Sequence, residues 1–575
     1  MSVAWTGAAR PARTVWGKVV SLLPGRDDWR EVRRDPRRNL IAGVTVAIVA
    51  LPLALAFGVA SGLGAQAGLA TAVVAGAVAA IFGGSNLQVS GPTGAMTVVL
   101  VPIVAQFGSS GVLMVGLMAG VALIVMAVAG LGRYVRYLPA PVIEGFTAGI
   151  AVVIALQQVP VALGVTGLEG EKVWALAAEA VGEFATNPNP APLVMSIAVA
   201  AMILAGARWK PALPFSLVAV VIATLVAVVT PVDLAPLGDL PAGLPSPSLA
   251  FLDIGAMGTL ATAAVAVAAL AALESLLSAT VADGMSVNER HHPDKELFGQ
   301  GLANIAAPLF GGIPATAAIA RTAVNVRAGA SSKLAALTHS VVLLMVILVA
   351  STLVSHIPLA ALAGVLFATT VRMVEFASLR ALARATKGDA VILVLTFAAT
   401  VAIDLVTAVI IGIAVAGLLA LRAVARSARV EQVPLEAGDY TEEEHALLSE
   451  HIVAYRLDGP LFFAAAHRFL LELSEIADVR VVILRMSRVT TLDATGAQVL
   501  GDAITRLEKR GIVVMLSGIK PGHDAVMASL GVAAHLVAGD HVFADTPSAI
   551  ERARHLLHTD QSRDADADTD GAVPA

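Results

Sequence analysis

The stretches FGGSNLQVSGPT at residues 82–93 and FGGIPATAAIART at residues 310–322 begin with the same three residues and lie 228 positions apart. In each stretch a Gly-Gly pair ends an apolar run, an extended segment follows, and a short helix is predicted to start near Pro92 or Ala320. A backbone that leaves the helical conformation at membrane depth is tolerated only inside protein or beside a watery cavity. Paired interruptions are typical of transporters built from repeats, so both breaks are predicted to line a substrate site.

The composition of the 575-residue chain is that of a membrane protein. Hydrophobic residues make up 57% and charged residues 14%, and the mean hydropathy is +0.81, which argues against several soluble domains. With no cysteine, thiolate metal sites and cysteine nucleophiles are excluded, and a net charge of −5 offers no footprint for nucleic acid. No Walker loop is present, so we predict neither an enzyme nor a cofactor, only a proton or sodium as coupling ion.

Fourteen apolar runs, several of them too short to cross a bilayer alone, are predicted as membrane segments. Their approximate bounds are Leu40–Ala60, Gln66–Phe82, Gly91–Ala105, Gly111–Leu131, Pro139–Val159, Pro192–Ala207, Ala212–Thr230, Ala256–Val281, Leu297–Phe310, Ala320–Arg327, Leu334–Ser355, Pro358–Val371, Asp389–Ile403 and Leu405–Leu421. Lysine and arginine concentrate on alternate loops, which places both termini in the cytoplasm by the positive-inside rule. The expected location is a bacterial inner membrane, where the protein spans the lipid bilayer many times.

A small soluble domain is predicted after the last apolar run. Alternating strands and helices indicate an α/β domain, with strands at 479–486 and 511–517 and helices at 464–476, 494–509 and 547–555. The predicted organisation is a cytoplasmic N-terminal segment at 1–39, a transmembrane transporter domain at 40–424, a linker at 425–447, the α/β domain at 448–558 and a disordered acidic tail at 559–575.

Two charged residues lie where lipid would not tolerate them. Glu274 is in the middle of an apolar run, and an intramembrane acid is a functional-site hypothesis by default. It is either a protonatable or cation-binding group that couples a driving ion to the substrate, or a structural acid bonded to a nearby hydroxyl or to Arg321. Arg321 starts the second short helix, so its guanidinium adds to the partial positive charge of the helix N-terminus. Two such helix starts that face each other would form an anion site.

The histidines of the chain give a weaker signal. His291, His292 and Asp294 could be read as a metal cluster, but with Glu289 and Arg290 beside them they are typical of a solvated loop. Spacing alone is a poor indicator of a metal site, so we predict none.

Three stretches resemble the SulP anion transporters, bacterial relatives of solute carrier family twenty-six. They are LPLALAF at 51–57 with QVSGPT at 88–93, ESLL at 274–277 with KELFGQGLAN at 295–304, and residues 310–325. The resemblance implies a membrane all-α fold of fourteen segments in two inverted seven-segment repeats, arranged as core and gate domains with two broken half-helices. The soluble part resembles a STAS domain, with LDATG at 492–496 matching its strand-to-helix loop.

The same resemblance implies roles for individual residues. It nominates Phe57 for an apolar wall of the anion site, the helix-end amides of Gly91, Pro92, Thr93, Ala320, Arg321 and Thr322, the charge of Arg321, and Glu274 for ion coupling. It further implies a homodimer that works by an elevator motion and a regulatory STAS loop at Asp493 and Thr495, which has a possible cytoplasmic protein partner.

Several functions stay open at this point. The first is secondary active transport of sulfate or a related inorganic anion such as bicarbonate, coupled to a proton or sodium gradient or to anion exchange. The pattern AAIARTA at 317–323 is similar to members that carry four-carbon dicarboxylates such as succinate or fumarate, which suggests a proton symporter as an alternative. An anion channel, or a membrane scaffold whose output is the STAS domain, is an alternative of another class.

Overall fold

The computed structural model describes residues 15–26, 32, 35–168, 170, 172–210, 213–286, 289–427, 429–432, 451–462, 479–532 and 534–569. The chain forms two compact units, Met1–Ala414 and Val415–Ala575. The helix predicted at 464–476 and most of the predicted linker lie outside the described residues.

The first unit is helical, and its last helix continues into the second unit. The elements are α1 (Val15–Leu22), α2 (Pro36–Ala60), α3 (Ala65–Phe82), β1 (Ser90–Gly91), α4 (Gly94–Ala129), a 3-10 turn (Leu131–Tyr137), α5 (Ala140–Leu163), α6 (Val173–Thr186), α7 (Pro190–Trp209), α8 (Phe215–Val229), α9 (Met257–Met285), α10 (Pro293–Leu309), β2 (Thr316–Ala317), α11 (Ile319–Arg327), α12 (Leu334–Ser355), α13 (Leu359–Met373), α14 (Phe376–Ala385), α15 (Lys387–Ala402) and α16 (Leu405–Ser427). In the described part of the chain, nine helical segments are long and apolar enough to cross a membrane.

Each of the fourteen predicted runs coincides with helix in the structure, and the third and fourth lie together in α4. There Gly108 interrupts the helix with a φ of 68°, a conformation that glycine adopts without strain. The runs missed α1, the 3-10 turn, α6 and α14 because none of these is a long apolar stretch. The count of fourteen spans and their inverted arrangement stay predictions.

Small residues let the helices around the breaks pack closely. A Cβ on Gly120 of α4 would lie 2.7 Å from the carbonyl oxygen of Gly301 of α10, and one on Gly301 would lie 2.8 Å from that of Gly120. Helices in lipid gain association energy from such close backbone approach. Helix α10 is thereby held against α4 and α3.

The second unit contains a six-stranded sheet. Its elements are β3 (Arg429–Gln432), β4 (Ile452–Leu461), β5 (Val481–Arg485), β6 (Val489–Leu492), α17 (Ala494–Lys509), β7 (Val513–Ser517), α18 (Pro521–Ser529), α19 (Ala534–Ala538), β8 (Val542–Phe543) and α20 (Thr546–Thr569). The strand order is β3-β4-β5-β7-β8, with β6 also paired to β4, and all pairs are parallel except β3 with β4. Buried Val482, Leu484, Leu500 and Leu516 contribute to the core between the sheet and its helices.

Two features differ from the sequence prediction for this unit. Strand β3 lies inside the predicted linker. An edge strand pairs through its backbone on one side and needs no apolar pattern, so the sequence pattern did not predict it. Helix α20 runs to Thr569 and so covers part of the predicted acidic tail. Alanines at 565 and 567 alternate with the aspartates there, and alanine has the highest helix propensity.

Candidate functional site

The two interrupted segments meet as a short antiparallel ladder. Ser90 pairs with Ala317 and Gly91 with Thr316, and the amide of Ala318 donates to the carbonyl oxygen of Val89 at 3.2 Å. The ladder brings the first residues of α4 and α11 together. Two helix N-termini from distant parts of the sequence therefore converge, and helix N-termini attract anions.

The two helix starts are capped differently. Thr93 precedes α4, and its Oγ1 accepts a hydrogen bond from the amide of Met96 at 3.4 Å. Ala318 precedes α11 and offers no side-chain cap. The next two residues, Ile319 and Ala320, are exposed. The first turn of α11 thus keeps amides that no side chain caps, beside an accessible surface.

Arg321 brings a full positive charge to this junction. Its side chain is only 1% exposed, and Nη2 donates to the carbonyl oxygen of Pro92. Nη1 lies directly over Gly91, where a Cβ would overlap it. Among the described residues, Nε and Nη1 have no hydrogen-bond partner. A buried cation with unused donors is suited to an anion, since buried charges are normally paired.

Glu274 of α9 contacts the first break at Thr93. Its Oε2 accepts a hydrogen bond from Thr93 Oγ1 at 2.9 Å, and the carboxylate is half-buried. The direct ion pair with Arg321 that the sequence left open is not formed in the described part of the chain, where Arg321 donates to Pro92. Thr93 therefore stands between the acid of α9 and the helix start of α4.

Helix α9 also holds the two breaks through hydroxyl and amide groups. Gln88 donates to the carbonyl oxygen of Ser275, and Ser278 Oγ donates to Thr322 Oγ1 at 3.1 Å. Thr322 Oγ1 in turn accepts from the amide of Val89 at 3.2 Å. The helix that carries Glu274 is thus bonded to both interrupted segments.

Phe57 forms an apolar side of the same junction. The residue is 5% exposed, and its Cε1 lies 3.2 Å from the position that a Cβ on Gly94 would take. Ile154 Cδ1 approaches the same position. The structure therefore brings all eight residues nominated for the substrate and ion-coupling sites to the ladder and the elements packed on it.

A polar stripe on α10 is formed by Glu296, Gln300 and Asn304. The sequence analysis noted these residues only as part of the stretch at 295–304 that resembles the family. The three residues are spaced by four, so they share one face of the helix. Glu296 Oε2 accepts from the amide of Gly84 at 2.8 Å. Gln300 Nε2 donates to Ser90 Oγ at 2.6 Å and to Glu296 Oε1 at 2.9 Å.

The far end of the stripe holds the second break. Asn304 accepts from the amide of Ala315 at 2.8 Å and donates to its carbonyl oxygen at 2.9 Å. Because Asn304 is fully buried, these bonds replace water for the extended backbone. One helix face therefore sets the position of both interrupted segments. The spacing of the three residues predicts a shared face, but it does not reveal which segments that face contacts.

His339 of α12 lies behind the first break. It is fully buried, and within the described residues neither ring nitrogen has a hydrogen-bond partner. A Cβ on Gly76 would lie 3.9 Å from His339 Nδ1 and 3.2 Å from the carbonyl oxygen of Ser90. The glycine on α3 thus leaves room for Ser340 Oγ of α12, which would lie 2.7 Å from that Cβ.

The residues of the predicted metal-like loop have structural partners. His291 Nδ1 lies 2.7 Å from Asp283 Oδ2, and His292 Nδ1 accepts from the amide of Lys295 at the start of α10. The histidines connect α9 to α10 and begin a helix.

The predicted regulatory loop lies in the C-terminal unit, between β6 and α17. Asp493 precedes α17 and accepts from the amide of Gly496 at 2.7 Å, which is a helix N-cap. Thr495, in the first turn, is exposed.

Comparison with known proteins identifies the family of the chain. A family model described as the sulfate permease family matches residues 37–396. The chain belongs to this family. A model of the STAS domain matches residues 446–549. The members of this family are membrane transporters and not enzymes.

Relatives are similar along most of the chain. The protein named "Putative sulfate transporter YvdB" of Bacillus subtilis is 36% identical over 88% of this chain and 96% of its own. The bicarbonate transporter BicA of a Picosynechococcus species is 34% identical over 82% of this chain and 86% of its own.

Solved structures agree with the fold. The transmembrane domain of a cyanobacterial bicarbonate transporter BicA covers 65% of this chain and 98% of its own, with 34% identity and a TM-score of 0.61. The murine anion transporter Slc26a9 in its inward-facing state covers 96% and 97%, with 18% identity and a TM-score of 0.81. The fold is that of a mostly helical, multi-pass membrane protein with a sheet-containing STAS domain.

Proposed function

We propose that the protein is a secondary active transporter that carries a small inorganic anion, sulfate or bicarbonate, across a bacterial inner membrane. The observation that carries this proposal is Arg321, a buried guanidinium between two helix N-termini, with two nitrogens that have no hydrogen-bond partner among the described residues. Charge-assisted hydrogen bonds to an oxyanion would use those donors. The relatives named for sulfate and bicarbonate support the same substrate class.

The anion would bind at the ladder. The backbone of Gly91, Pro92 and Thr93 would face it from one break, where Pro92 has no amide hydrogen to donate, and Ala320, Arg321 and Thr322 would face it from the other. Phe57 would form the apolar side that excludes water and strengthens each electrostatic contact.

Glu274 would couple transport to a driving ion. Its only side-chain partner among the described residues is Thr93, which also caps the helix start of α4. A proton or sodium ion on the carboxylate would remove or balance the negative charge beside the anion, and so favour anion binding. The same site would serve anion exchange where no cation gradient is used.

Hydrogen bonds from α9 and α10 to both breaks support an elevator mechanism. The elements that hold the anion would move as one core domain against a gate domain, within fourteen spans in two inverted repeats. The transporter domain would occupy 40–424 and the STAS domain 448–558, with both termini in the cytoplasm. The working form would be a homodimer, and Asp493 with exposed Thr495 would form the STAS surface that a cytoplasmic partner reads.

A second substrate class is favoured by one observation. Ile319 and Ala320 form an exposed apolar rim at the start of α11, which would contact the carbon chain of a dicarboxylate such as succinate. Sulfate and bicarbonate have no such chain, so competition between the three anions separates the two proposals.

The test is uptake into proteoliposomes. Labelled sulfate, bicarbonate and succinate are offered in turn, each with an imposed proton or sodium gradient, to wild type and to Glu274→Gln. We expect one inorganic anion to accumulate against its gradient in wild type. Glu274→Gln keeps a side chain of the same shape without the titrating group, so we expect accumulation to cease while anion binding persists.

The other outcomes are equally informative. Passive flux that Glu274→Gln leaves unchanged would contradict coupling and indicate a channel. Accumulation of succinate alone would replace the inorganic anion by the dicarboxylate. Absence of flux for every anion would favour a scaffold whose output is the STAS domain.

A further inference from the structure

Helix α14, which the sequence pattern did not predict, presents a basic surface. Its sequence FASLRALARA is followed by Thr386 and Lys387, and no acidic residue occurs from 376 to 387. None of its residues is fully buried. Arg380 and Arg384 are exposed, and the ring of Phe376 is 70% exposed. A short helix therefore carries an aromatic ring and two guanidinium groups at its surface.

The opposite side of α14 faces the protein. Ser378 Oγ donates to Glu144 Oε1 of α5 at 2.9 Å, and Leu382 is half-buried. At 100° per residue, Phe376, Arg380 and Arg384 share the side that faces away from Ser378 and Leu382. The helix thus contacts the protein on one side and is exposed on the other. We call the exposed side, with Phe376, Arg380 and Arg384, the basic face.

The charges of the basic face are not balanced by any residue that the structure describes. Within the described residues, neither Arg380, Arg384 nor Lys387 takes part in an ion pair or a hydrogen bond. The nearest acid after the helix, Asp389, accepts from Thr386 Oγ1 at 2.8 Å. Glu375, the nearest acid before it, is exposed and precedes the helix.

The position of α14 indicates what balances them. It joins the apolar helices α13 and α15, and if these two helices cross the membrane, its arginines are expected to lie outside the hydrocarbon region, at the turn between them. Aromatic rings and basic side chains at such a turn belong to the headgroup layer, and anionic lipids attract basic residues there. We propose that the basic face of α14 binds the headgroups of anionic phospholipids, with the ring of Phe376 in the interfacial layer. The proposal does not depend on which anion is transported.

A site-specific lipid contact assay tests this directly. The chain has no cysteine, so Ala383→Cys on the exposed surface of α14 accepts a single fluorophore. The full-length protein is placed in vesicles that contain either phosphatidylglycerol or phosphatidylcholine with a spin-labelled headgroup, at equal mole fraction. Each exposed base contributes about fivefold to local enrichment of anionic lipid. We expect quenching to favour phosphatidylglycerol at least fivefold.

Matched charge variants identify the source of that preference. Arg380→Gln with Arg384→Gln should abolish it. The same two-charge change at exposed Arg208 and Lys210, at the end of α7, should leave it intact. Equal quenching by both lipids would overturn the proposal, and so would an equal loss of preference in the two pairs of variants. A fluorophore that responds to removal of residues 559–575, but not to lipid, would show that the acidic end of the chain occupies the basic face instead.

Discussion

The two interrupted segments of the membrane unit share a backbone arrangement, a two-residue strand followed by the start of a helix, but their side chains differ in chemistry. At the first break, Thr93 caps α4 and hydrogen-bonds Glu274, so the break offers amides and a hydroxyl. At the second, Ala318 supplies no cap, and Arg321 supplies a charge that reaches back to Pro92. The difference indicates that a repeated geometry can provide two helix ends while one full charge serves both.

The largest effect should follow removal of that charge. Arg321→Ala leaves the anion without its cation at a buried site, a loss that typically costs about 2–5 kcal/mol. We expect uptake of the transported anion to fall at least about 30-fold in proteoliposomes. The matched control is Arg327→Gln at the other end of α11, where Nε donates to the carbonyl oxygen of Ala323. Equal losses in the two variants would contradict a specific role for Arg321.

The next effect tests whether the guanidinium must lie against the first break. Gly91→Ala places a Cβ on Arg321 Nη1, and overpacking of this kind costs about 1–3 kcal/mol. We expect uptake to fall about fivefold or more, with the protein still inserted in the membrane. Gly258→Ala is the control, because in the described part of the chain no atom beyond its own helix turn lies within 4 Å of its added Cβ. Wild-type uptake by Gly91→Ala would show that the contact between Arg321 and the first break is dispensable.

A smaller effect on uptake should come from the polar stripe on α10, which contacts the breaks and not the proposed anion position. Asn304→Ala leaves the amide and the carbonyl of Ala315 without their partner, at about 1–3 kcal/mol for each buried group. Asn304→Asp keeps an acceptor for the amide, but it loses the donor to the carbonyl oxygens of Gln300 and Ala315 and places a carboxylate at a fully buried position. We therefore expect both variants to lower the thermal unfolding midpoint, Asn304→Asp at least as far as Asn304→Ala, with uptake following the same order.

The control for the stripe is Asn187→Ala, at an exposed position after α6. It should leave both the unfolding midpoint and uptake unchanged. If Asn304→Ala lowers the midpoint but not the rate of uptake, the stripe supports folding without positioning the site.

Much of the membrane unit could be predicted from its sequence. Long apolar runs predict helices because a span must satisfy its own backbone, and all the predicted runs are helical. The shared Phe-Gly-Gly start of the two stretches predicted the breaks. Their antiparallel pairing of Ser90 with Ala317 then brings together helix starts that composition alone could not place side by side.

Other features depend on tertiary contacts that no local pattern carries. The bonds of Asn304 to Ala315 and of Gln300 to Ser90 join elements far apart in the chain. The edge strand β3 forms through backbone pairing to β4. The use of Thr93, and not Arg321, as the partner of Glu274 depends on side-chain geometry at the ladder.

The central claim is that the second break binds the anion by charge and the first by backbone and hydroxyl groups. The direct measurement is calorimetric titration of sulfate and of bicarbonate into the purified full-length protein, for wild type, Arg321→Ala and Thr93→Ala. Loss of the helix cap costs about 0.5–2 kcal/mol. We predict that Arg321→Ala raises the Kd of the bound anion at least about 30-fold, and that Thr93→Ala raises it less. Wild-type affinity in Arg321→Ala, or a larger loss in Thr93→Ala, would contradict the claim.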